Sequence, residues 1–385
     1  MLCFSVDAQA QDQQRIPASE QVIEFGGLAG PLLKIYPGFP ESAGTRIVEL
    51  NWRGKGGDAN ARPWQRAYNF PETGVSITHL SFGNDSILGS GLGAQYRFVQ
   101  RHPINKRLTF VKGLGVGMLW VSDPYHYQHN PSNIAMGSHL SALMSLHLGL
   151  RYRILTQWQV QLGGAFVHAS NAHTTLPNVG LNVPALQASV LYSMDWEQKS
   201  WQSFPKHKCY VPLRWEKVIR LGLGVNEFGT STDPTNGPKY PIYLLSAFGS
   251  KARSQRSHLQ LGANLYYNSG YRSFLESQET GDLTANFGNA SVVVLFVGHE
   301  YRYHRFGMVV QGGYNLWNPF LKHYQLEVLD TGDKVKSKVA GRYGVNYYLR
   351  NPWAQAWSSN MYLGIYVKSN TGQADFLDMG IGLTF

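Results

Sequence analysis

Charge, cysteine and long apolar runs are all scarce in this chain. Of its 385 residues, 15% are Asp, Glu, Lys or Arg, against roughly 25% in an ordinary globular chain. A disordered polymer would be charge-rich and poor in aromatics, so that class is excluded, the more so because aromatics reach 13%. Only two cysteines occur, Cys3 and Cys209, and neither stands in a CxxC or other metal-ligand spacing. No zinc site is therefore expected. No stretch of 18 or more apolar residues exists, which excludes a helical membrane protein. What is present is glycine (41), tyrosine (22) and tryptophan (10). Together these features predict a β protein with one face in lipid.

Lys+Arg 34 against Asp+Glu 24 gives a net charge of +10. A basic balance points to anionic partners. The basic residues are scattered through turns, with no block of the kind that forms a nucleic-acid arm, so no nucleic-acid partner is expected. At the N-terminus, Met1-Leu2-Cys3-Phe4-Ser5-Val6 precedes Ala8-Gln9-Ala10, a small-x-small cleavage pattern. Residues 1–10 read as the remnant of a secretory signal peptide.

From about Thr73 onward the chain becomes a series of long segments with period-2 alternation, separated by turn-rich pieces. Leu140, Ala142, Met144, Leu146, Leu148 and Leu150 alternate with Ser141, Ser145, His147, Gly149 and Arg151. Segments of 12–16 residues exceed the usual strand of roughly 5–6, and tight connections alternate with long ones. Arg153–Thr156 and Arg302–Arg305 read as short periplasmic turns, Pro124–Ser132 and Glu276–Asn286 as longer outer loops. The fold class expected is all-β: a transmembrane antiparallel β-barrel of about fourteen strands, within a range of 12–16. Residues 11–72 read as a less regular N-terminal segment in which Thr45–Arg53 could form a further strand, and 73–385 as the barrel. Leu377, Met379, Ile381, Leu383 and Phe385 share one face of the last strand, which resembles the C-terminal recognition strand of bacterial outer-membrane proteins.

One stretch carries chemistry: Phe166-Val167-His168-Ala169-Ser170-Asn171, followed by Pro177-Asn178-Val179-Gly180-Leu181-Asn182. His168 and Ser170 are two apart, so on a strand they project from one face, roughly 6–7 Å apart. Serine needs such a neighbouring base, because its hydroxyl is a weak nucleophile at its own pKa. The pair continues the stripe Trp158, Val160, Leu162, Gly164 and Phe166, which in a barrel faces lipid. Asn182 shares a face with Pro184, Leu186, Ala188 and Val190, and a short loop would return it beside His168. Polar side chains ending two adjacent lipid-facing stripes are costly unless they serve a function. With residues 153–156 as the periplasmic turn, the pair lies near the outer-leaflet interface, since a span takes roughly 9–11 tilted residues. The pairs His126/His129 and His299/His304 lack a carboxylate or cysteine at ligand spacing and read as surface histidines. No cofactor motif and no metal site is expected.

The string His168, Ser170, Asn171, Asn178, Gly180 and Asn182 resembles that of the PagL-type lipid A deacylases, also known as acyloxyacyl hydrolases. The resemblance implies an outer-membrane barrel esterase that removes an acyl chain from lipid A or lipopolysaccharide. Carried over by position, it makes Ser170 the nucleophile and His168 the general base. Asn171, Asn178 and Gly180 become oxyanion or substrate-binding positions. Asn182 falls where the family can carry an acidic triad member. Here it is an amide, and no Asp or Glu occurs between Ser170 and Asp195. A neutral orienter suffices in Cys-His-Asn enzymes. The second departure is length: simple family members are eight-stranded barrels under half this size. A non-catalytic channel or transport barrel with a degenerate motif is the competing expectation.

Overall fold

The computed structural model describes residues 20–55, 62–194, 215–229, 232, 237–278, 283–327, 338–353, 359–370 and 373–385. The expected signal remnant at 1–10 and both cysteines lie outside the described residues. Among the described residues no helix is long and apolar enough to cross a membrane.

The strands close into two barrels of eight, each with sequential neighbours. The first comprises β1 (Glu20–Gly30), β2 (Thr45–Lys55), β3 (Glu72–Ser81), β4 (Ser90–Pro103), β5 (Leu108–Val121), β6 (Leu140–Arg153), β7 (Trp158–Ser170) and β8 (Leu181–Ser193). The second comprises β9 (Trp215–Glu227), β10 (Lys239–Ser254), β11 (Ser257–Asn268), β12 (Ser291–Tyr303), β13 (Phe306–Trp317), β14 (Val339–Tyr348), β15 (Asn360–Asn370) and β16 (Gln373–Thr384). Every pairing is antiparallel. Closure comes from β1 on β8, with Val22 opposite Ser193 and Ala29 opposite Leu186, and from β16 on β9, with Leu377 opposite Val225.

The all-β antiparallel barrel architecture is as expected, with sixteen strands at the top of the anticipated range. Two expectations need correction. A single barrel over 73–385 divides into two, because β8 pairs back onto β1 instead of onward to β9. The segment 11–72 is more regular than expected: the possible strand at Thr45–Arg53 is β2, and β1 and the short helix α1 (Pro63–Ala67) join it. In β1 the outward positions are Ile23, Phe25, Gly27 and Ala29. Two of these four are small, so the apolar alternation is too weak to stand out.

Side chains facing outward along each strand form an apolar belt. Leu148, Leu162 and Leu186 of the first barrel, and Leu221, Leu261 and Val297 of the second, are each more than half exposed. Leu186 is 79% exposed, a leucine that water would disfavour by about 1.5–3 kcal/mol relative to burial.

The lumens are filled. In the first barrel Arg53 bridges Glu24 and Glu72, Arg151 and Arg101 reach Glu72 at 2.7 and 3.2 Å, and Arg97 meets Glu49 at 3.2 Å. In the second, Arg220 and Arg342 converge on Asp378 over the Tyr366 ring, and Glu300 takes Arg302, Asn346 and Tyr348. Eight strands leave a lumen just wide enough for side chains. Among the described residues these ion pairs lie across both lumens, which weighs against the channel expectation.

Most short turns gather at one end and most long loops at the other; the β2–β3 and β14–β15 connections are longer pieces at the short-turn end, and β15 and β16 are joined tightly at the other. At the short-turn end the barrels meet through Trp64 and Tyr68 next to Phe98, Tyr303 and Trp353. There Tyr68 Oη donates to the Arg302 carbonyl at 3.1 Å, and the Tyr96 and Tyr303 hydroxyls lie 2.8 Å apart.

Candidate active site

The polar string sits at the long-loop end of β7 and β8. Register sets it there: His168 lies directly opposite Asn182 across the β7–β8 pair, and Met144 flanks His168 from β6. The period-2 alternation then turns His168, Ser170 and Asn182 outward, half-buried, above Phe166 and Leu186. The loop between the strands is short enough to bring the two polar ends together.

His168 Nδ1 lies 2.8 Å from Asn182 Oδ1. A carbonyl oxygen only accepts, so in this arrangement Nδ1 carries the proton and Nε2 is the basic nitrogen. Ser170 Oγ does not bond His168. Instead it donates to Asn178 Oδ1 at 3.2 Å and receives Asn178 Nδ2 at 3.0 Å and the Ala172 N–H at 3.1 Å. Three polar groups therefore converge on one hydroxyl. His168 and Ser170 share the outward face two residues apart, so a change of Ser170 rotamer is the movement that would turn its hydroxyl toward the imidazole. Such bonds are commonly long or absent before substrate binds.

The other motif positions have different work. Asn171 is buried and fully engaged: Nδ2 donates to Thr175 O at 2.7 Å and to Ser138 Oγ at 3.1 Å, while Oδ1 accepts the His173 N–H. It braces the loop and has no donor left for an oxyanion. Asn178 keeps its Nδ2 at Ser170 and its Oδ1 on the Asn171 N–H, 3.1 Å away. Gly180 adopts φ +79° and donates its N–H to Ala135 O at 2.9 Å. A Cβ there would lie 3.0 Å from Ala169 O, 3.5 Å from His168 Cε1 and 3.6 Å from Ser170 Cβ. Glycine is thus favoured by the left-handed backbone and by the close Ala169 carbonyl, while His168 and Ser170 would meet a Cβ at ordinary contact distance. Gly180→Ala should lower kcat about tenfold or more through strain of ~1–2 kcal/mol placed at the site. Steady-state kinetics on refolded barrel, with circular dichroism as the folding control, would check this.

Two residues escaped the sequence reading. Asn133 ties down the β5–β6 loop, donating to Ile87 O and Asp123 O and accepting from Ala135 N and Met136 N. That loop in turn holds the active-site loop, since Ile134 O and Ala135 O accept the N–H groups of Val179 and Gly180. Glu227, from the second barrel, accepts the Leu176 N–H at 3.0 Å. An asparagine in a long loop, and a glutamate at the end of a strand 51 residues away, carry no local signal of either role.

His173, at φ +67°, is buried in the same loop. Burial pushes its imidazole below the usual range, against the opposing pull of Asp375, a bond with the Gly229 backbone and the pull of Glu227. The folded loop thus holds His173 neutral. When the loop opens, the ring recovers an ordinary value of about 6.5. Stability is full above that pH and is lost as pH falls below it. Protease cleavage within 171–180 should rise between pH 7.5 and pH 5 in the wild type. His173→Asn, which tolerates the left-handed backbone, should abolish that rise.

Among the described residues no cluster of three metal-ligating side chains occurs. His126 and His129 stack on each other at 4.6 Å, and the His126 ring accepts backbone N–H groups.

Two family models match the chain, and their limits follow the barrels. Residues 48–191 match lipid A 3-O-deacylase (PagL), and residues 215–385 match the acyloxyacyl hydrolase C-terminal domain. The chain belongs to the PagL-type acyloxyacyl hydrolase family. Its members act as hydrolases on lipid A acyl esters, and the protein is an outer-membrane β-barrel. The long-loop end is accordingly the outer face, and the apolar belt is the lipid contact. Among solved structures the chain is similar to the outer-membrane enzyme PagL, with 16% identity over 43% of this chain and 97% of that one and a TM-score of 0.33. It is also similar to the KdgM porin, with 7% identity over 76% and 92% and a TM-score of 0.17. No curated protein matches.

Proposed function

We propose that the protein is an outer-membrane serine esterase that hydrolyses an ester-linked acyl chain of lipid A through Ser170, His168 and Asn182. The observation that carries this reading is the outward-facing row in which the Asn182 carbonyl fixes the His168 tautomer beside Ser170. A soluble hydrolase would enclose such a row in a cleft. Here it opens sideways onto lipid, at the level where an outer-leaflet glycolipid carries its ester bonds.

In the proposed reaction lipid A reaches the site by lateral diffusion. Ser170 Oγ attacks the ester carbonyl carbon while His168 Nε2 takes its proton. The carbonyl oxygen becomes an oxyanion next to Asn178 Nδ2 and the Ala172 N–H, donors already gathered at Oγ. A good donor of this type contributes about 3–4 kcal/mol. The tetrahedral intermediate collapses, the C–O bond to the sugar breaks, and His168 returns the proton to the departing alkoxide. Water, deprotonated by His168, then attacks the acyl carbonyl, the Ser170 Oγ–acyl bond breaks with His168 returning the proton to Oγ, and the fatty acid is released. The 3-O position is the bond proposed, following the name of the family model matched by the first barrel.

The test is the mass of lipid A from cells producing wild type or Ser170→Ala. Loss of one acyl chain in the wild type alone supports the reading, and identical lipid A from both removes it.

A further inference from the structure

The second barrel has no copy of the His-x-Ser-Asn string, yet it touches the loop between β7 and β8. Glu227, the last residue of β9, is 2% exposed. Its Oε2 accepts the Leu176 N–H at 3.0 Å and its Oε1 accepts the Gly237 N–H at 3.1 Å. Its own N–H donates to His173 O at 3.2 Å. Beside it Lys239, at the start of β10, donates from Nζ to Thr175 Oγ1 at 2.8 Å. Residues 173, 175 and 176 of the first barrel are therefore all held from the second.

These ties lead to the nucleophile in a few steps. Thr175 O accepts from Asn171 Nδ2, the Asn171 N–H donates to Asn178 Oδ1, and the Asn178 amide spans Ser170 Oγ. A buried carboxylate is costly unless its oxygens are hydrogen-bonded. In Glu227 one oxygen accepts from each barrel, so undocking the two loops takes the Leu176 N–H away from a buried carboxylate oxygen.

We propose that Glu227 is a positioning residue through which the second barrel holds the first barrel's active-site loop in its reactive shape. The inference rests on the esterase reading and assigns the C-terminal half a role in catalysis without any contact with substrate. Removing the carboxylate leaves Phe166, Met144 and Leu186, the apolar surface beneath the site, unchanged. The loss should fall on kcat and spare KM, because misplacing a reacting group by about 1 Å costs on the order of 10²-fold.

The experiment uses the full-length protein in detergent with purified lipid A. Wild type, Ser170→Ala, Glu227→Ala and Glu227→Gln are compared for kcat, KM, thermal unfolding and protease cleavage within 171–180. Glu227→Ala should lose about 10- to 100-fold in kcat with KM within about twofold, and its loop should be cut faster while both barrels stay folded. Glu227→Gln keeps one acceptor but turns an NH2 toward an N–H, so its loss should be intermediate. Wild-type kcat and loop protection in Glu227→Ala would overturn the proposal, as would an effect confined to KM. Should Glu227→Ala fail to fold, wild-type kcat in Glu227→Gln would overturn it. A wild type that releases no fatty acid would remove the esterase reading instead, and faster loop cleavage in the Glu227 variants would still support the brace.

Discussion

Ser170→Ala and His168→Ala should each abolish lipid A deacylation, and the double variant should be no worse than either alone. Each single change is expected to lower kcat by about 10⁴-fold or more, because nucleophile and base act as one unit. The geometry gives this prediction an edge. In the resting state Ser170 bonds Asn178 and Ala172, while His168 bonds Asn182. If the hydroxyl were merely a structural partner of Asn178, Ser170→Ala would loosen the loop and His168→Ala would leave activity largely intact. Equal, non-additive losses are what a shared proton transfer produces. Release of fatty acid from purified lipid A is the assay, and additive losses or an active His168→Ala would exclude the pair as catalytic.

The second large effect concerns Asn182, and it runs in both directions. The amide carbonyl holds His168 Nδ1–H at 2.8 Å, which sets the tautomer. It carries no charge, so it does little for the imidazolium formed during attack. Asn182→Ala removes the orienting acceptor and should lower kcat by about 10²-fold or more. Asn182→Asp keeps the acceptor and adds a negative charge beside the ring. It should raise kcat by about tenfold, the effect of ~1.4 kcal/mol of added transition-state stabilisation. Steady-state kcat of both variants on purified lipid A checks this. An Asp variant less active than wild type would mean that the asparagine serves through its NH2 group and not as an orienter.

Much of this was legible from alternation. The stripes through Leu140–Leu150 and Trp158–Ser170 give the strands, their outward faces and the outward placement of His168 and Ser170, since a side-chain period of two leaves no other choice. The meeting of Asn182 with His168 follows from the short loop between two strands of known face. A Cβ on Gly115 would lie 2.4 Å from the lumenal Ser145 Oγ, so glycine on the inward face of that strand leaves room for the lumen side chains. The functions of Asn171 and Asn178 were not separable in the same way. Both are asparagines in one loop, and only the hydrogen bonds show that one braces the backbone while the other stays on the Ser170 hydroxyl.

The amino-acid sequence by itself therefore determined the class of fold, the face on which the polar row stands and the chemistry that row can perform, because these are properties of neighbours along one strand or one hairpin. Tertiary structure alone decided that sixteen strands close as eight and eight, that ion pairs fill both lumens, and that Glu227 grips the loop around Ser170. Those outcomes depend on which distant backbone donors and acceptors find each other. A β-strand carries the same unpaired N–H and C=O groups whichever strand it joins, so its own residues leave the choice of partner open.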